Sequence, residues 1–416
     1  MSAAAPVPPP MKILVVNGGS SSFKCWFGEL PAEAPAPLWD ARVEWTHATG
    51  EAEIRFRTAA AAAEFTARAQ ALVDALPPAL ATLWSGDTAV VRSPREVGLV
   101  GHRIVHGGKV YRDTSWVTPE VRAAIATQAE FAPSHNRFEL EAIESVDALL
   151  GKDARQVAVF DTGFHASLEP AAYVYPGPYD WLEQGVRRFG FHGISFQYAA
   201  RRAAQLLGAR AEALRLILCH LGNGASLAAV RGGRCVDTTM GFTPLEGVMM
   251  GSRSGSIDPG IIIYLLRHRG YAADQLDRIL NQESGLKGLS GAGGDVRDIL
   301  AAMAAGNERA RLAFDVYAHR LCREAGGMLA ALGGADALVF TGGVGENCPP
   351  LRERLCRQLE FLGLALDAEK NARPQPDQDI AAAHSAVRVL VIHAEEEWEI
   401  ACECYRLARN LAGPAR

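Results

Sequence analysis

The sequence carries no strong excess of either charge, no long apolar run and no cysteine spacing suited to a metal. Among its 416 residues, 42 Lys and Arg meet 47 Asp and Glu, for a net charge of -5. That balance excludes a general attraction to nucleic acid or anionic membrane. Any anionic ligand needs a local cluster of positive groups. No apolar stretch approaches the roughly 18 residues of a membrane span. The first ten residues, MSAAAPVPPP, lack both a basic and a long apolar segment. They do not read as a secretory signal, and their Pro and Ala make 1–10 an expected disordered tail. The eight cysteines are scattered, and the close pair Cys402 and Cys404 lacks metal-site spacing. They read as buried free thiols in a reducing compartment, which points to the cytoplasm. The pattern G-x-x-x-x-G-K-[ST] does not occur, which excludes a P-loop enzyme. The protein-kinase string H-R-D-L-x-x-x-N is missing as well.

What is present is the composition of a soluble globular protein, 49% hydrophobic and 21% charged, with mean hydropathy near zero. The length argues for two domains. Six short apolar runs, many of their residues β-branched, read as buried strands: Ile13–Val16, Val97–Val100, Val157–Phe160, Leu216–Leu218, Leu338–Phe340 and Val387–Ile392. Each empties into a polar or glycine-rich loop. In open α/β sheets ligands bind beyond the carboxyl ends of the strands, so six such loops imply one large site. Asp258-Pro259-Gly260 opens a helix that runs to Gly270. Ser195 reads as the cap of another, since Phe196, Ala199, Ala203 and Leu206 recur at helical spacing. Ala301–Gly334 reads as one or two helices, and 29–96 shows no chemical motif. ILVVNGGSSSFKCWF and LILCHLGNGASLAAV share a plan of strand, small-residue turn, strand, an echo that implies duplicated halves.

The chemistry sits in the turns. In Asn17-Gly18-Gly19-Ser20-Ser21-Ser22-Phe23-Lys24, glycines admit close backbone approach and successive N–H groups can cradle an anion. An ordinary hairpin turn is the alternative. HLGNGAS (220–226) and TGGVGEN (341–347) have the same character. Three such loops after strands favour a nucleotide. Arg103 in GHRIVHGG and Arg253 in MMGSRSGSIDPG lie among small residues, where a rigid guanidinium fork suits a carboxylate or phosphate. Asp161 ends a strand in FDTGFH, and His192 in FGFHG precedes a helix start. His165 and His135 read as structural.

Together these strings resemble the acetate kinase family. The resemblance runs from about residue 11 to 402 through the segments above, with TPLEGVMMGSRSGSIDPG, SGLKGLSGAGGDVR and the terminal EEEWEIA. It implies an α/β fold of two similar domains of the sugar kinase/Hsp70/actin (ribonuclease H-like) type, with an interdomain active-site cleft. The implied domains are 11–160 plus 398–416, and a nucleotide-binding domain 161–397. It implies Mg²⁺ (or Mn²⁺), ATP as co-substrate, a small carboxylate substrate and a homodimer, with no nucleic-acid or membrane partner. Residue by residue, it implies Asn17 and Glu396 at the metal. Lys24, His220-Leu221-Gly222-Asn223-Gly224, Asp295-Val296-Arg297 and Gly343-Val344-Gly345-Glu346-Asn347 are implied at ATP. Arg103 is implied at the substrate carboxylate, with Val105, Phe191 and Pro244 lining its methyl pocket. Asp161, His192 and Arg253 are implied as catalytic.

The sequence departs from the family pattern at Ser134, which replaces an apolar pocket residue, at Ser256, which replaces an aspartate, and at Gly293 and Gly294, which replace serines. Ser134 motivates a propionate or butyrate kinase as the alternative. An Hsp70/actin-like nucleotide switch would use the same glycine loops without needing Arg103 and Arg253. A sugar or hydroxyl kinase would use Asp161 as a true base.

Overall fold

The computed structural model describes residues 10–19, 22–46, 50–128 and 133–411. The side chains at 46, 133–136 and 411 lie outside that description, and with them the readings placed on Ser134 and His135. So do Ser20 and Ser21 of the first turn and residues 1–9 of the expected tail.

The chain divides into two compact units, one formed by 1–163 with 395–416 and the other by 164–394. Asp161–Gly163 and Glu395–Glu397 therefore go with the first unit. Its strands are β1 (Met11–Gly18), β2 (Ser22–Leu30), β3 (Trp39–Thr46), β4 (Glu51–Thr58), β5 (Ala62–Arg68), β6 (Leu99–Ile104), β7 (Ser115–Trp116) and β8 (Gln156–Phe160). Those of the second are β9 (Arg215–Leu221), β10 (Ala225–Arg231), β11 (Arg234–Thr238), β12 (Ala337–Thr341), β13 (Gln378–Asp379) and β14 (Arg388–Val391). The helices used below are α1 (Pro133–Leu150), α2 (Gly193–Leu206), α3 (Pro259–His268), α4 (Val296–Ala304), α5 (Glu308–Leu332), α6 (Gly342–Asn347) and α7 (Glu396–Leu411).

The first sheet has the order β5-β4-β3-β2-β1-β6-β8-β7, and the second β11-β10-β9-β12-β14-β13. The six apolar runs are the parallel strands of the two sheets: β1, β6 and β8 in one, β9, β12 and β14 in the other. Each parallel trio is extended by an antiparallel pair, β2 and β3 on β1, and β10 and β11 on β9. The echo between the two turns is therefore a repeat of one sheet plan, β3-β2-β1-β6-β8 against β11-β10-β9-β12-β14. This is the two-domain, ribonuclease H-like fold implied by the resemblance.

The parallel strands are apolar on both faces because both faces are covered. In the first unit Leu14 and Val16 join Phe23, Phe27, Trp39, Leu76, Leu80 and Phe138 in one core. On the opposite face α7 approaches so closely that a Cβ at Gly101 would lie 2.5 Å from Cys404 Sγ and 2.9 Å from Ile400. In the second unit α2 packs on β9 and β12, while α5 packs on β9, β10 and β11. The stretch 29–96, without a motif, supplies β3–β5 and the Leu76–Ala81 helix. Ala301–Gly334 resolves into α4 and α5, separated by a turn whose Asn307 caps α5. Asp258 caps α3, accepting from the Gly260 N–H.

Ser195 is not a cap. Helix α2 begins at Gly193, and its N-cap position is His192, in the left-handed region at φ +58°. The Ser195 hydroxyl instead meets His220 Nδ1 at 2.8 Å. All eight cysteines are free, and six are buried. Burial pushes the Cys25, Cys219, Cys235 and Cys404 thiols well above their ordinary range. Among the described residues no helix is long and apolar enough to cross a membrane.

Candidate active site

In the first unit, the side chains implied for the site gather where β1, β6 and β8 end. Asn17 and Lys24 face each other across the β1–β2 hairpin, so the opening turn is geometrically a hairpin. Gly18 leaves room there for an aromatic ring. A Cβ on it would lie 2.1 Å from the Phe138 ring, which also stacks on Phe23 at 5.6 Å. Buried Asn17 donates through Nδ2 to Glu397 at 2.7 Å and to Glu396 at 3.1 Å, both in the first turn of α7. Lys24 Nζ lies 3.7 Å from Glu397. These oxygens are hard donors, too few to encage a cation, and no cluster of three or more His, Cys, Asp or Glu suited to a metal occurs among the described residues. A small set of carboxylate and amide oxygens fits Mg²⁺, which keeps several waters and takes its remaining ligands from phosphate.

Arg103 ends β6. Its side chain is 14% exposed, so a solvated role is excluded. Nη1 donates to the Gly18 carbonyl and Nη2 to Asp161, each at 3.0 Å. Buried Nε has no hydrogen-bond partner among the described residues, and such a donor is costly unless a ligand meets it. Burial opposes the charge on Arg103, but Asp161 and then Glu396, joined by Glu139 when that is ionised, outweigh it and hold the guanidinium protonated more firmly than usual. Asp161 is wholly buried. Val105, two residues beyond Arg103, is buried and donates its N–H to Glu139 at 2.9 Å.

In the second unit a different set meets at the β9–β10 hairpin. His192 Nδ1 lies 2.8 Å from Ser226 Oγ, and its ring stacks on His220 at 4.2 Å and 22°. A Cβ built on Gly224 would lie 3.3 Å from His192 Nε2 and 3.6 Å from Arg253 Nη1. Imidazole and guanidinium thus flank one glycine of the 220–224 loop. Arg253 also donates to the Pro244 carbonyl at 3.1 Å. Asn223 is pinned against Gly251, whose N–H donates to the Asn223 carbonyl at 3.1 Å. Phe191 is buried beside His192, and its carbonyl lies 2.9 Å from His165 Nε2. His165 is therefore structural, as the sequence implies.

The third glycine loop is not a loop. Gly342–Asn347 forms α6 directly after β12. Gly342 is at φ +77° with a Cβ position 2.8 Å from the Leu221 carbonyl, so only glycine fits, whereas Gly343 faces open space. Glu346 is engaged internally, accepting from the Ala394 N–H at 3.1 Å and meeting His393 Nδ1 at 2.6 Å. Asn347 donates to the Gly343 carbonyl. Asp295 caps α4 by accepting from the Arg297 N–H, and pairs with the exposed Arg297 guanidinium at 2.6 Å. Gly294 has no room for a serine side chain, because its Cβ would lie 2.8 Å from the Gly251 carbonyl. Ser256, in place of an aspartate, accepts from the Gly247 N–H.

Each implied site residue thus falls in one of two sets: Asn17, Lys24, Arg103, Val105, Asp161 and Glu396 in the first unit, the others in the second. A model of the acetokinase family matches residues 12–402. The chain belongs to the acetokinase family. A protein of Gloeobacter violaceus named acetate kinase is 55% identical over 405 residues, 96% of this chain and all of its own. Among solved structures, Porphyromonas gingivalis acetate kinase is 37% identical with a TM-score of 0.87, covering 96% of this chain and 100% of its own. A propionate kinase from Francisella tularensis is 31% identical with a TM-score of 0.85, over 95% and 99%.

Sequence reasoning missed several residues of this family member's site. Ser226, which meets His192, lies inside the 220–226 motif without a role read from it, and Ser195, which meets His220, reads from sequence only as a helix cap. Glu397, the nearer carboxylate to Asn17, stood beside Glu396. Arg352 gave no signal; fully buried, it donates to the carbonyls of Gly345, Glu346 and Asn371 and so braces the end of α6. Glu139 gave none either.

Proposed function

We propose that the chain is an acetate kinase, transferring the γ-phosphoryl group of ATP to acetate to give acetyl phosphate and ADP, reversibly. The observation that carries the reading is buried Arg103, with an unpartnered Nε, one carboxylate partner and an oxygen cluster nearby at Asn17, Glu396 and Glu397. A carboxylic acid of ordinary pKa, about 4, is already ionised at neutral pH. No general base is required, and Asp161 serves to hold Arg103 in register. One acetate oxygen attacks phosphorus in line, the bond to the β–γ bridging oxygen breaks, and its electron pair leaves with ADP. The obstacle is anion meeting anion, so catalysis rests on positioning and charge neutralisation.

In this reading Arg103 binds the carboxylate, and Val105, Phe191 and Pro244 bound the methyl group. Arg253 and His192 neutralise charge on the transferring phosphoryl. Lys24 and the segments 220–224, 295–297 and 343–347 contact ATP. Asn17 and Glu396 would hold Mg²⁺, which when bound supplies Lewis-acid charge neutralisation on the phosphate oxygens. The eight free thiols support a cytoplasmic location. A homodimer is supported by α3, which buries none of its residues and exposes Ile261, Ile263, Tyr264 and Leu266.

The test is ATP consumption with and without millimolar acetate, with acyl phosphate trapped as the hydroxamate. Acetate-dependent hydroxamate is expected; turnover indifferent to any short carboxylate would favour a nucleotide switch. Propionate is the second reading, motivated by Ser134 and by the likeness to a propionate kinase. One methylene changes discrimination by about 1–3 kcal/mol, so the same assay across two- to five-carbon acids decides it, and acetate is expected to give the highest kcat/KM.

A further inference from the structure

We propose that Glu139 is the positioning residue of the carboxylate subsite, holding through the Val105 N–H the end of β6, where Arg103 and Val105 lie. The inference rests on the acetate kinase reading above. Glu139 is 2% exposed and lies on α1, next to Phe138, whose ring is seated on Gly18 and Phe23. That packing aims the glutamate into the end of β6. Its Oε1 accepts from Val105 at 2.9 Å, while Oε2 is buried with no hydrogen-bond partner among the described residues.

The groups acting on Glu139 are Arg103 from β6, Asp161 from the end of β8 and the Val105 N–H. Burial dominates and pushes the carboxyl up to about 8, against the opposing pull of Arg103 and Val105 and with a further push from Asp161. At neutral pH Glu139 is thus a neutral acid beside a guanidinium. Asp161 and Glu396 already act on Arg103, so an ionised Glu139 would set a third carboxylate on the one guanidinium. With Glu139 protonated that third charge is absent, and the guanidinium keeps its unpartnered Nε for the substrate. When Glu139 ionises, it competes with acetate for the same cation.

The test is steady-state kinetics of the full chain, wild type, E139Q and E139L, with the acetyl phosphate product trapped as hydroxamate. In the wild type the acetate KM is expected to rise by about tenfold between about pH 7 and about pH 9.5, with the ATP KM nearly flat. E139Q keeps an acceptor for Val105 but cannot ionise, so its acetate KM should stay flat with pH and within about threefold of the wild type at neutral pH. E139L should raise the acetate KM by about tenfold or more at every pH, with the ATP KM moved by less than about twofold. If E139L does not fold, the E139Q profile decides alone. A wild-type acetate KM that is flat across the range, or an E139Q profile that rises in parallel with the wild type, overturns the inference. Absence of acyl phosphate from the wild type overturns the underlying reading, and this one with it.

Discussion

At the residue scale, the proposed roles of the two arginines differ, and the two should fail differently. Arg253 lies against Gly224 and the Pro244 carbonyl, beside His192. An arginine acting on transferring phosphate is worth roughly 10³–10⁵ in rate, so Arg253→Ala is expected to lower kcat by at least about 10²-fold with little change in ATP binding. Stopped turnover assays and nucleotide titration check this, and near-normal kcat would remove Arg253 from the reaction. Arg103→Ala should chiefly raise the acetate KM, because it deletes a contact present before and during transfer; unchanged saturation by acetate would argue against that. Glu139 also makes fold stability depend on pH. Its folded carboxyl titrates near 8, above the ordinary 4.5. The folded state therefore binds that proton more tightly, and the stabilisation is complete below about 4.5 and is lost as pH rises through about 8. Chemical denaturation across that window should show E139Q losing less stability than the wild type; parallel curves would contradict the assignment.

At the element scale, glycines in the site loops serve packing as much as ligands. Gly18 sits under Phe138 and so seats α1, whose next residue is Glu139. Gly18→Val forces the aromatic ring away, an overpacking change that costs about 1–3 kcal/mol. Thermal unfolding should show a lower Tm, and G18V combined with F138A should recover part of it; simple additivity would show that the two residues do not share one space. Gly342 is held more strictly, since its obstacle is the Leu221 backbone at 2.8 Å rather than a movable side chain. The hairpin geometry at β1–β2 and β9–β10 means that the choice between turn and ligand loop was never exclusive. A hairpin brings Asn17 opposite Lys24, and His220 opposite Ser226.

At the scale of the whole molecule, one sheet plan is used twice, and the copies carry different chemistry. The first contributes the Arg103–Asp161 pair and the oxygens around Asn17, the second the histidine pair, Arg253 and the glycine hairpin. The strongest whole-molecule prediction concerns α3, whose apolar residues Ile261, Ile263, Tyr264 and Leu266 are each more than 40% exposed. A second copy covering this helix is expected to give twice the 44.5 kDa chain mass by light scattering. Ile263→Arg should shift the mass toward the monomer, as an unpaired charge in an apolar contact is costly. A monomeric wild type would refute the homodimer.

The sequence by itself determined the parallel strands, because strands buried on both faces must be apolar throughout and show as unbroken runs such as Ile13–Val16 and Val157–Phe160. It also determined the family, because Arg103, Asp161, His192 and Arg253 each stand in a long motif of small residues with few other uses. What Ser195, Gly18, Arg352 and Glu139 do was decided only by tertiary structure. Ser195 meets a histidine 25 positions away, and Glu139 meets a backbone N–H 34 positions away. A buried polar side chain takes its protonation state and its role from partners that distant segments bring to it, and no local pattern of residues records which partners those will be.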